Sequence, residues 1–417
     1  MKKFLEILVL ESKRLVRTGT AGMLASAAVA WMFAMPYLVR SDGTASGATE
    51  MYMKYSLGGV FALVTVALAA SAAGSISAER NEKRLQLTLA RPVRFFVVAL
   101  GRMAAISLCG AAVLALATAI LVAKIDSRPC SRVYSPKMES PREEALRLYD
   151  SVMQDPGIDA EIKKAPKDAI LRVLEQKAWD NYQTIPKGRD AAWKMGDVDA
   201  KGRLMSVRLR FTNNFDTREK VVGVFRYGGF SGSISNVTQA VVAVPLDSQE
   251  VLPEGDPSVL TFSNRGENTL MLRPRRDIKL LVEADSFAMN TVRAWIVLSS
   301  MLALVVAFAV FLGSALGKAV AIFTVMSFLA VTEMGPSVVE QYPDALETDT
   351  RDRISLMVTR AVGKVTRPVG SFTPLESLAA NDMVEFGEVA RAVGEDMVVL
   401  PLLLAFLSGL ALSFKKV

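Results

Sequence analysis

Residues 95–123 read FFVVALGRMAAISLCGAAVLALATAILVA, an apolar run interrupted by one charge, Arg102. A helix needs roughly twenty apolar residues to cross the ~30 Å hydrocarbon core of a bilayer, and this run exceeds that. The stretch therefore predicts a membrane-spanning helix, with Arg102 near its start free to snorkel to the interface. Working outward in both directions, the same pattern returns. Residues 20–39 and 55–77 are uncharged apolar runs on the N-terminal side, the first holding Pro36, which predicts a kink, and the second rich in Ala and Gly, which permits close helix packing. On the C-terminal side, residues 291–314, 319–334 and 397–414 make three more. The expected fold is an α-helical membrane protein of six transmembrane helices.

Between the third and fourth runs lie residues 125–288, which are water-soluble in character. Residues 139–200 read as helices, for example SPREEALRLYDSVM with Pro141 near its start. Residues 203–285 read as strands: Val207, Leu209 and Phe211 alternate with Arg208 and Arg210, and VVGVFRY, AVVAVPL, SVLTFSN and IKLLVEA follow between turn residues. That spacing predicts a small antiparallel β-sandwich, so the insert is an α+β domain. The expected organisation is 1–124 with three spans, 125–288 as the insert, and 289–417 with three more spans and a polar, mostly acidic loop at 335–395. An amphipathic piece lies around Ile354–Val365 in that loop.

Residues 2–17 read KKFLEILVLESKRLVR, with Lys2, Lys3, Glu6, Lys13, Arg14 and Arg17 on one helical face and Phe4, Leu5, Leu8, Val9, Leu15 and Val16 on the other. This predicts an amphipathic helix lying in the membrane interface. Six spans put both termini on one side. That side collects the N-terminal cations, the cluster Arg80 to Arg102, Lys318, Lys415 and Lys416, whereas the short loop opposite contributes Lys54. The positive-inside rule then makes both termini cytoplasmic and the insert and the 335–395 loop extracytoplasmic.

Whole-chain composition agrees. The chain has 417 residues, 51% of them hydrophobic, and a net charge of +7. Its mean hydropathy of +0.30 fits a chain part membrane and part water-soluble. The cations sit beside apolar runs and make no basic-aromatic platform, so no nucleic-acid partner is expected. The absence of histidine excludes a Ser-His-Asp triad, a Cys-His pair and histidine metal ligands. The two cysteines, Cys109 within an apolar run and Cys130 outside it, argue against a disulfide. Gly313 to Ala319 imitates a phosphate loop, but it is one residue short, carries Ala where Ser or Thr would bind magnesium, and joins two apolar runs. Glu333 closes the fifth run, where an acid at membrane depth is a functional candidate, though the outer interface hydrates it cheaply. Asn236-Val237-Thr238 fits a glycosylation sequon of the kind common by chance, and Asp285 and Ser286 have no histidine to activate them.

The charged stretch after the second run reads Ser77-Ala78-Glu79-Arg80-Asn81-Glu82-Lys83-Arg84-Leu85-Gln86-Leu87-Thr88-Leu89-Ala90-Arg91-Pro92-Val93-Arg94, followed by Gly101-Arg102. Leu85, Leu87 and Leu89 alternate as in a strand, and Leu85 and Leu89 also form an i,i+4 pair. A helix is expected, because a lone strand would leave its backbone groups unpaired at the membrane surface. The stretch resembles the coupling segment of ABC type-2 transporter permeases, the class that includes exporters related to gliding-motility and nitrous-oxide-reductase maturation permeases. The terminal Pro368-Val369-Gly370-Ser371-Phe372-Thr373-Pro374-Leu375 before the last run is also similar. Lys83-Arg84 depart from the pattern, since members often carry Gly-Thr there.

The resemblance implies a short coupling helix that docks into a groove on a separate ATPase. Glu79, Arg80 and Glu82 would be its polar contacts, Leu85 and Leu89 its apolar contacts, and Pro92 and Arg94 its exit toward the third span. It further implies an inner-membrane permease with no ATPase motif of its own, no cofactor bound directly, and ATP and Mg on the partner ATPase. Such permeases work as a homodimer or with a second permease. Membrane lipids, and an envelope partner for the insert, complete the expected partners. The competing reading is a membrane-anchored sensor or assembly scaffold acting through its external sandwich.

Overall fold

A computed structural model describes residues 2–39, 45–81, 94–125, 129–137, 141–154, 165–180, 183–196, 198, 204–211, 219–238, 241–246, 259–341 and 374–414. The chain divides into two compact units: Met1–Cys130 with Asp285–Val417, and Ser131–Ala284. These boundaries lie a few residues inside 125 and 288, because Pro129, Cys130, Asp285 and Ser286 are tied into the helical unit by bonds described below.

The helical unit contains α1 (Lys2–Arg17), α2 (Thr20–Leu38), α3 (Ala45–Asn81) and α4 (Phe95–Lys124) before the insert. After the insert come two long helices that we call the core helix (Phe287–Ala315) and the following helix (Lys318–Gln341), then a short helix Pro374–Ala379. The final helix begins at Phe386, is π-helical over Ala392–Val399, and continues to Phe414. Among the described residues five helices are long and apolar enough to cross a membrane: Thr20–Leu38, Gly47–Ser77, Phe95–Lys124, Phe287–Ala315 and Phe386–Ser413. Among the described residues Lys318–Ala330 is a shorter apolar stretch, on a helix whose backbone continues to Gln341.

Several boundaries differ from expectation, among them the end of the following helix, which continues to Gln341 inside the expected 335–395 loop. The expected loop after the first run is helical from Ala45, and the last helix starts at Phe386 within the expected 335–395 loop. In both cases the helix includes a polar flank of the apolar run and passes through a glycine, Gly47 or Gly387, whose weak local preference the longer helix overrides. The piece Ile354–Val365 lies outside the described residues. Pro36 lies inside α2, two residues from its end.

Residue burial explains why the core helix organises this unit. It is apolar on all sides and buried along nearly its whole length, from Phe287 to Ser314. A helix without a polar face must be surrounded by protein or lipid. Here α3, α4 and the final helix pack around it. Two glycines set the closest approaches. A Cβ on Gly313 would lie 2.3 Å from the carbonyl oxygen of Ala73 on α3, and one on Gly110 of α4 would lie 2.3 Å from Leu302 Cδ2 and 2.7 Å from Leu68 Cδ1. Small residues at these points let the backbones meet. Outward-facing Met23, Phe33, Leu402, Leu403 and Phe406 remain exposed on α2 and the final helix, as a lipid-facing surface requires.

Among the described residues the second unit has two longer helices, a short one at Pro274–Asp277, and three sheets. Helices Pro141–Gln154 and Lys167–Asp180 bury Ala145, Ile170 and Leu174 against each other. The strands among the described residues are numbered in chain order: β1 (Pro129–Tyr134), β2 (Gln183–Ile185), β3 (Asp190–Lys194), β4 (Met205–Arg210), β5 (Lys220–Tyr227), β6 (Phe230–Val237), β7 (Val241–Leu246), β8 (Val259–Asn264), β9 (Leu270–Leu272) and β10 (Ile278–Ser286). They form four-stranded sheets of order β1-β10-β4-β7 and β3-β8-β5-β6, with β2-β9 as a two-stranded ribbon. The pairings β10–β4, β4–β7, β3–β8, β5–β8, β5–β6 and β2–β9 are all antiparallel. Val207, Leu209, Val244 and Leu280 of one sheet share a single apolar core with Trp193, Phe225, Leu260 and Phe262 of the other. The alternation of Val207 and Leu209 with Arg208 and Arg210 is the period-2 pattern of a half-buried strand. β5 and β6 form a two-residue hairpin at Gly228-Gly229, where Gly228 has φ 55°.

Residues 183–194, expected among the helices, form β2 and β3 instead. Pro186 and Gly188 (φ 69°) place a turn between them, and Ala191 and Trp193 are buried while Asp190, Ala192 and Lys194 are exposed. A turn flanked by alternating residues overrides the helical character of the preceding segment.

Candidate functional site

The expected coupling segment is bracketed by described backbone. α3 continues through Glu79 and Arg80 to Asn81, and α4 begins at Phe95 with Arg94 as its extended N-cap residue (φ −70°, ψ 137°). Arg94 is exposed. The side chains of Glu79 and Arg80, and Glu82, Leu85, Leu89 and Pro92 altogether, lie outside the described residues, as does the Lys83-Arg84 departure. At the start of the segment Ser77 is buried, its hydroxyl donating to Ala73 O of the same helix at 3.1 Å.

Arg102 differs from expectation. It is buried, at 4% exposure, rather than reaching the interface. α1 lies across the start of α4, with Ile7 Cγ2 2.7 Å from where a Gly101 Cβ would sit, so the route outward is covered. The expected amphipathic helix α1 is present, with Leu5, Val9, Leu10 and Val16 exposed and Glu11 buried and paired with Arg14 at 3.3 Å.

At the opposite end of the core helix a polar cluster ties the chain's exits to the insert into the helical unit. Ser286 caps the core helix, its hydroxyl accepting from Met289 N at 3.3 Å. One turn on, Arg293, 6% exposed, pairs with Asp285 and lies over the Phe386 ring at 4.2 Å. This combines an ion pair with a cation–π contact in a desolvated place. Asn290, fully buried, donates to Asp382 O at 2.9 Å and accepts from Val384 N at 2.8 Å. Asn381, in the left-handed region at φ 59°, donates to Pro129 O at 2.7 Å. Asn tolerates that backbone conformation better than most residues. The segment 381–386 is thus pinned to the core helix and to the strand entering the insert. Arg293 is a lone charge near the start of the apolar run 291–314, which the sequence shows; Asn290 and Asn381 give no such signal, because a single Asn in or near an apolar run carries no periodicity.

Cys130 is buried beside this cluster, its thiol 4.0 Å from Ser286 O. Burial pushes the thiol above its usual range. It is therefore unreactive rather than nucleophilic. Both cysteines are free. Asp285 is occupied by Arg293, and Ser286 by its capping role, which leaves neither arranged as a nucleophile.

Sequence reading missed Asp396. It is 6% exposed, its Oδ1 has no hydrogen-bond partner among the described residues, and it sits in the π-helical stretch of the final helix. π-helical insertions frequently mark functional sites, and acids at membrane depth are functional candidates by default. The available signal was the pair Glu395-Asp396 set directly against the apolar run. Glu333, the acid singled out instead, lies on the following helix, with its side chain outside those described. Gly313 to Ala319 is a helix-to-helix connection, from Ala315 through Gly317 to Lys318. In the sequon Asn236-Val237-Thr238, Thr238 is buried and its hydroxyl accepts from Glu219 N at 2.9 Å. Among the described residues no group of three or more His, Cys, Asp or Glu could hold a metal ion.

Comparison with known proteins returns no matching family model, no matching curated protein and no matching solved structure.

Proposed function

We propose that this chain is the membrane-spanning permease subunit of an ABC type-2 transporter, of export type, working with a separate ATPase subunit. The observation that carries the reading is the stretch from Ser77 to Arg94 with Gly101-Arg102, whose residues resemble a coupling segment and whose ends join two apolar helices. A segment that must dock on a soluble surface needs charges for recognition and a few apolar contacts to transmit force. Glu79, Arg80 and Glu82 supply the first, Leu85 and Leu89 the second, and Pro92 and Arg94 turn the chain into α4.

In this reading the chain crosses the inner membrane six times. The helix Lys318–Gln341 has 24 residues. At 1.5 Å per residue that is about 36 Å, long enough to complete the crossing that its apolar part Lys318–Ala330 begins. Both termini are cytoplasmic, on the side where α1 and Lys318 gather positive charge, and the unit Ser131–Ala284 is extracytoplasmic. The chain is not itself an enzyme. ATP and Mg bind the ATPase, and two membrane subunits, either two copies or this chain with a second permease, complete the transporter. ATP-driven closure of the ATPases would tilt the helices to open a substrate path or move the outer unit.

The test is purification in mild detergent from the native host. An ABC ATPase should co-purify with the wild-type chain, and Leu85→Asp should abolish its recovery while the chain still inserts. A chain that brings down no ATPase, with Leu85→Asp retaining function, would overturn the reading. The separate apolar core of the unit Ser131–Ala284 favours one second reading, a sensor or scaffold that recruits an envelope partner. That reading predicts function that survives loss of ATP hydrolysis.

A further inference from the structure

α1, α2 and α4 enclose an apolar cleft of about 410 Å³. Leu15 and Val16 of α1, Ala21 and Ala25 of α2, and Ala105 and Cys109 of α4 are among its walls. On α4 the lining runs from Ala105 to Leu116. At 1.5 Å per residue that is a groove about 16 Å long, parallel to the helix. Small side chains make it deep, while Leu108 and Leu116 at its edge are 53% and 40% exposed, so it opens sideways to whatever surrounds the helices. The cleft starts under the elbow between α1 and α2. There Gly19 adopts φ 72°, and the Thr18 hydroxyl donates to the carbonyls of the last turn of α1.

The lining itself carries no charge, and the cations next to it in sequence are on α1. Lys13, Arg14 and Arg17 sit on the last turns of α1, and Lys13 and Arg17 are exposed. From Ser12 to Ala25 the chain has no acidic residue. Glu11 is buried and already paired with Arg14. An elongated apolar groove, open along its side, with exposed cations next in sequence to its lining residues Ser12 and Val16, matches an amphiphile with a negative head and a hydrocarbon tail. A flat protein face matches neither its shape nor its charge. We infer that this cleft binds one anionic phospholipid from the leaflet on the α1 side, with an acyl chain along α4 between Ala105 and Leu116 and its phosphate beside Lys13 and Arg17. Cations near an anionic lipid headgroup attract it, while apolar burial retains the chain. The inference needs only that the helical unit sits in a membrane, and it stands whether or not the chain serves an ATPase.

The experiment uses the full-length chain in nanodiscs of phosphatidylcholine doped with a phosphatidylglycerol that carries a photoreactive diazirine on its acyl chain. Adducts are mapped by mass spectrometry. Labelling should concentrate in residues 12–25 and 105–116, and excess phosphatidylglycerol should compete it away while excess phosphatidylcholine does not. Lys13→Gln and Arg17→Gln should each reduce it roughly fivefold. Ala112→Trp should fill the groove and abolish it; if that variant does not fold, the two surface substitutions still decide. Labelling spread evenly over other exposed apolar faces, such as Leu402 and Phe406, would mean annular lipid only and overturn the proposal. So would equal competition by phosphatidylcholine. Ready formation of a Cys109-to-Cys109 cross-linked pair would place a second copy in the cleft and also overturn it.

Discussion

Arg293 holds a buried positive charge by two means, the Asp285 carboxylate and the Phe386 ring. Removing one partner of such a pair leaves an uncompensated charge, which costs several kcal/mol when fully buried. The Asp285 side chain is 33% exposed, so water recovers part of that cost. Asp285→Asn should therefore lower the melting temperature in detergent by an amount equivalent to about 1–2 kcal/mol, and Arg293→Met together with Asp285→Asn should lower it by less than the sum of the single changes. Strict additivity would show that the two groups do not act together. Asp396 behaves oppositely. A buried carboxylate oxygen without a partner costs roughly 1–3 kcal/mol, so Asp396→Leu should raise thermal stability by part of that. A stability loss on Asp396→Leu would mean that its carboxylate is satisfied in the assembled protein.

At the scale of elements, the apolar runs at 20–39, 55–77, 95–123 and 291–314 were legible, because hydrophobic length alone predicts them; the helices Ala45–Asn81, Phe95–Lys124 and Phe287–Ala315 contain the last three, and Thr20–Leu38 covers the first up to its C-cap Val39. The alternation at Met205–Arg210 was legible for the same kind of reason. β2 and β3 were not, since their three and five residues are too short for a periodic signal and follow a helical segment directly. Arg102 was misplaced because its fate depends on α1 covering the start of α4, a tertiary fact that no local pattern carries. Packing at this scale gives a direct test. Any side chain at Gly313 meets the backbone of Ala73, which cannot retreat without moving α3. Gly313→Leu should destabilise the helical unit by more than about 2 kcal/mol and reduce expression of folded protein, whereas Gly387→Ala, where a Cβ meets nothing within 4 Å, should be neutral. Equal effects of the two changes would show that the core helix and α3 do not meet closely.

For the whole molecule, the chain joins a helical unit of membrane-spanning length to a unit with its own apolar core and antiparallel sheets. The proposed topology assigns each face to a side of the membrane by charge, and protease added to intact spheroplasts tests it. Cleavage within 131–284, with α1 protected until the membrane is opened, is the expected outcome; cleavage of α1 first would invert the topology and put the 77–94 stretch out of reach of any cytoplasmic ATPase. The candidate site is read from residue identity alone, as a charged stretch between two apolar helices, because charge and Leu spacing are local while docking is not. The measurement that bears most directly on it places a photoreactive phenylalanine analogue at Leu85 in the native host. The account predicts a single major adduct whose peptides come from an ABC ATPase. An adduct to an envelope protein, or none above the background seen with the same analogue at exposed Phe323, would contradict it.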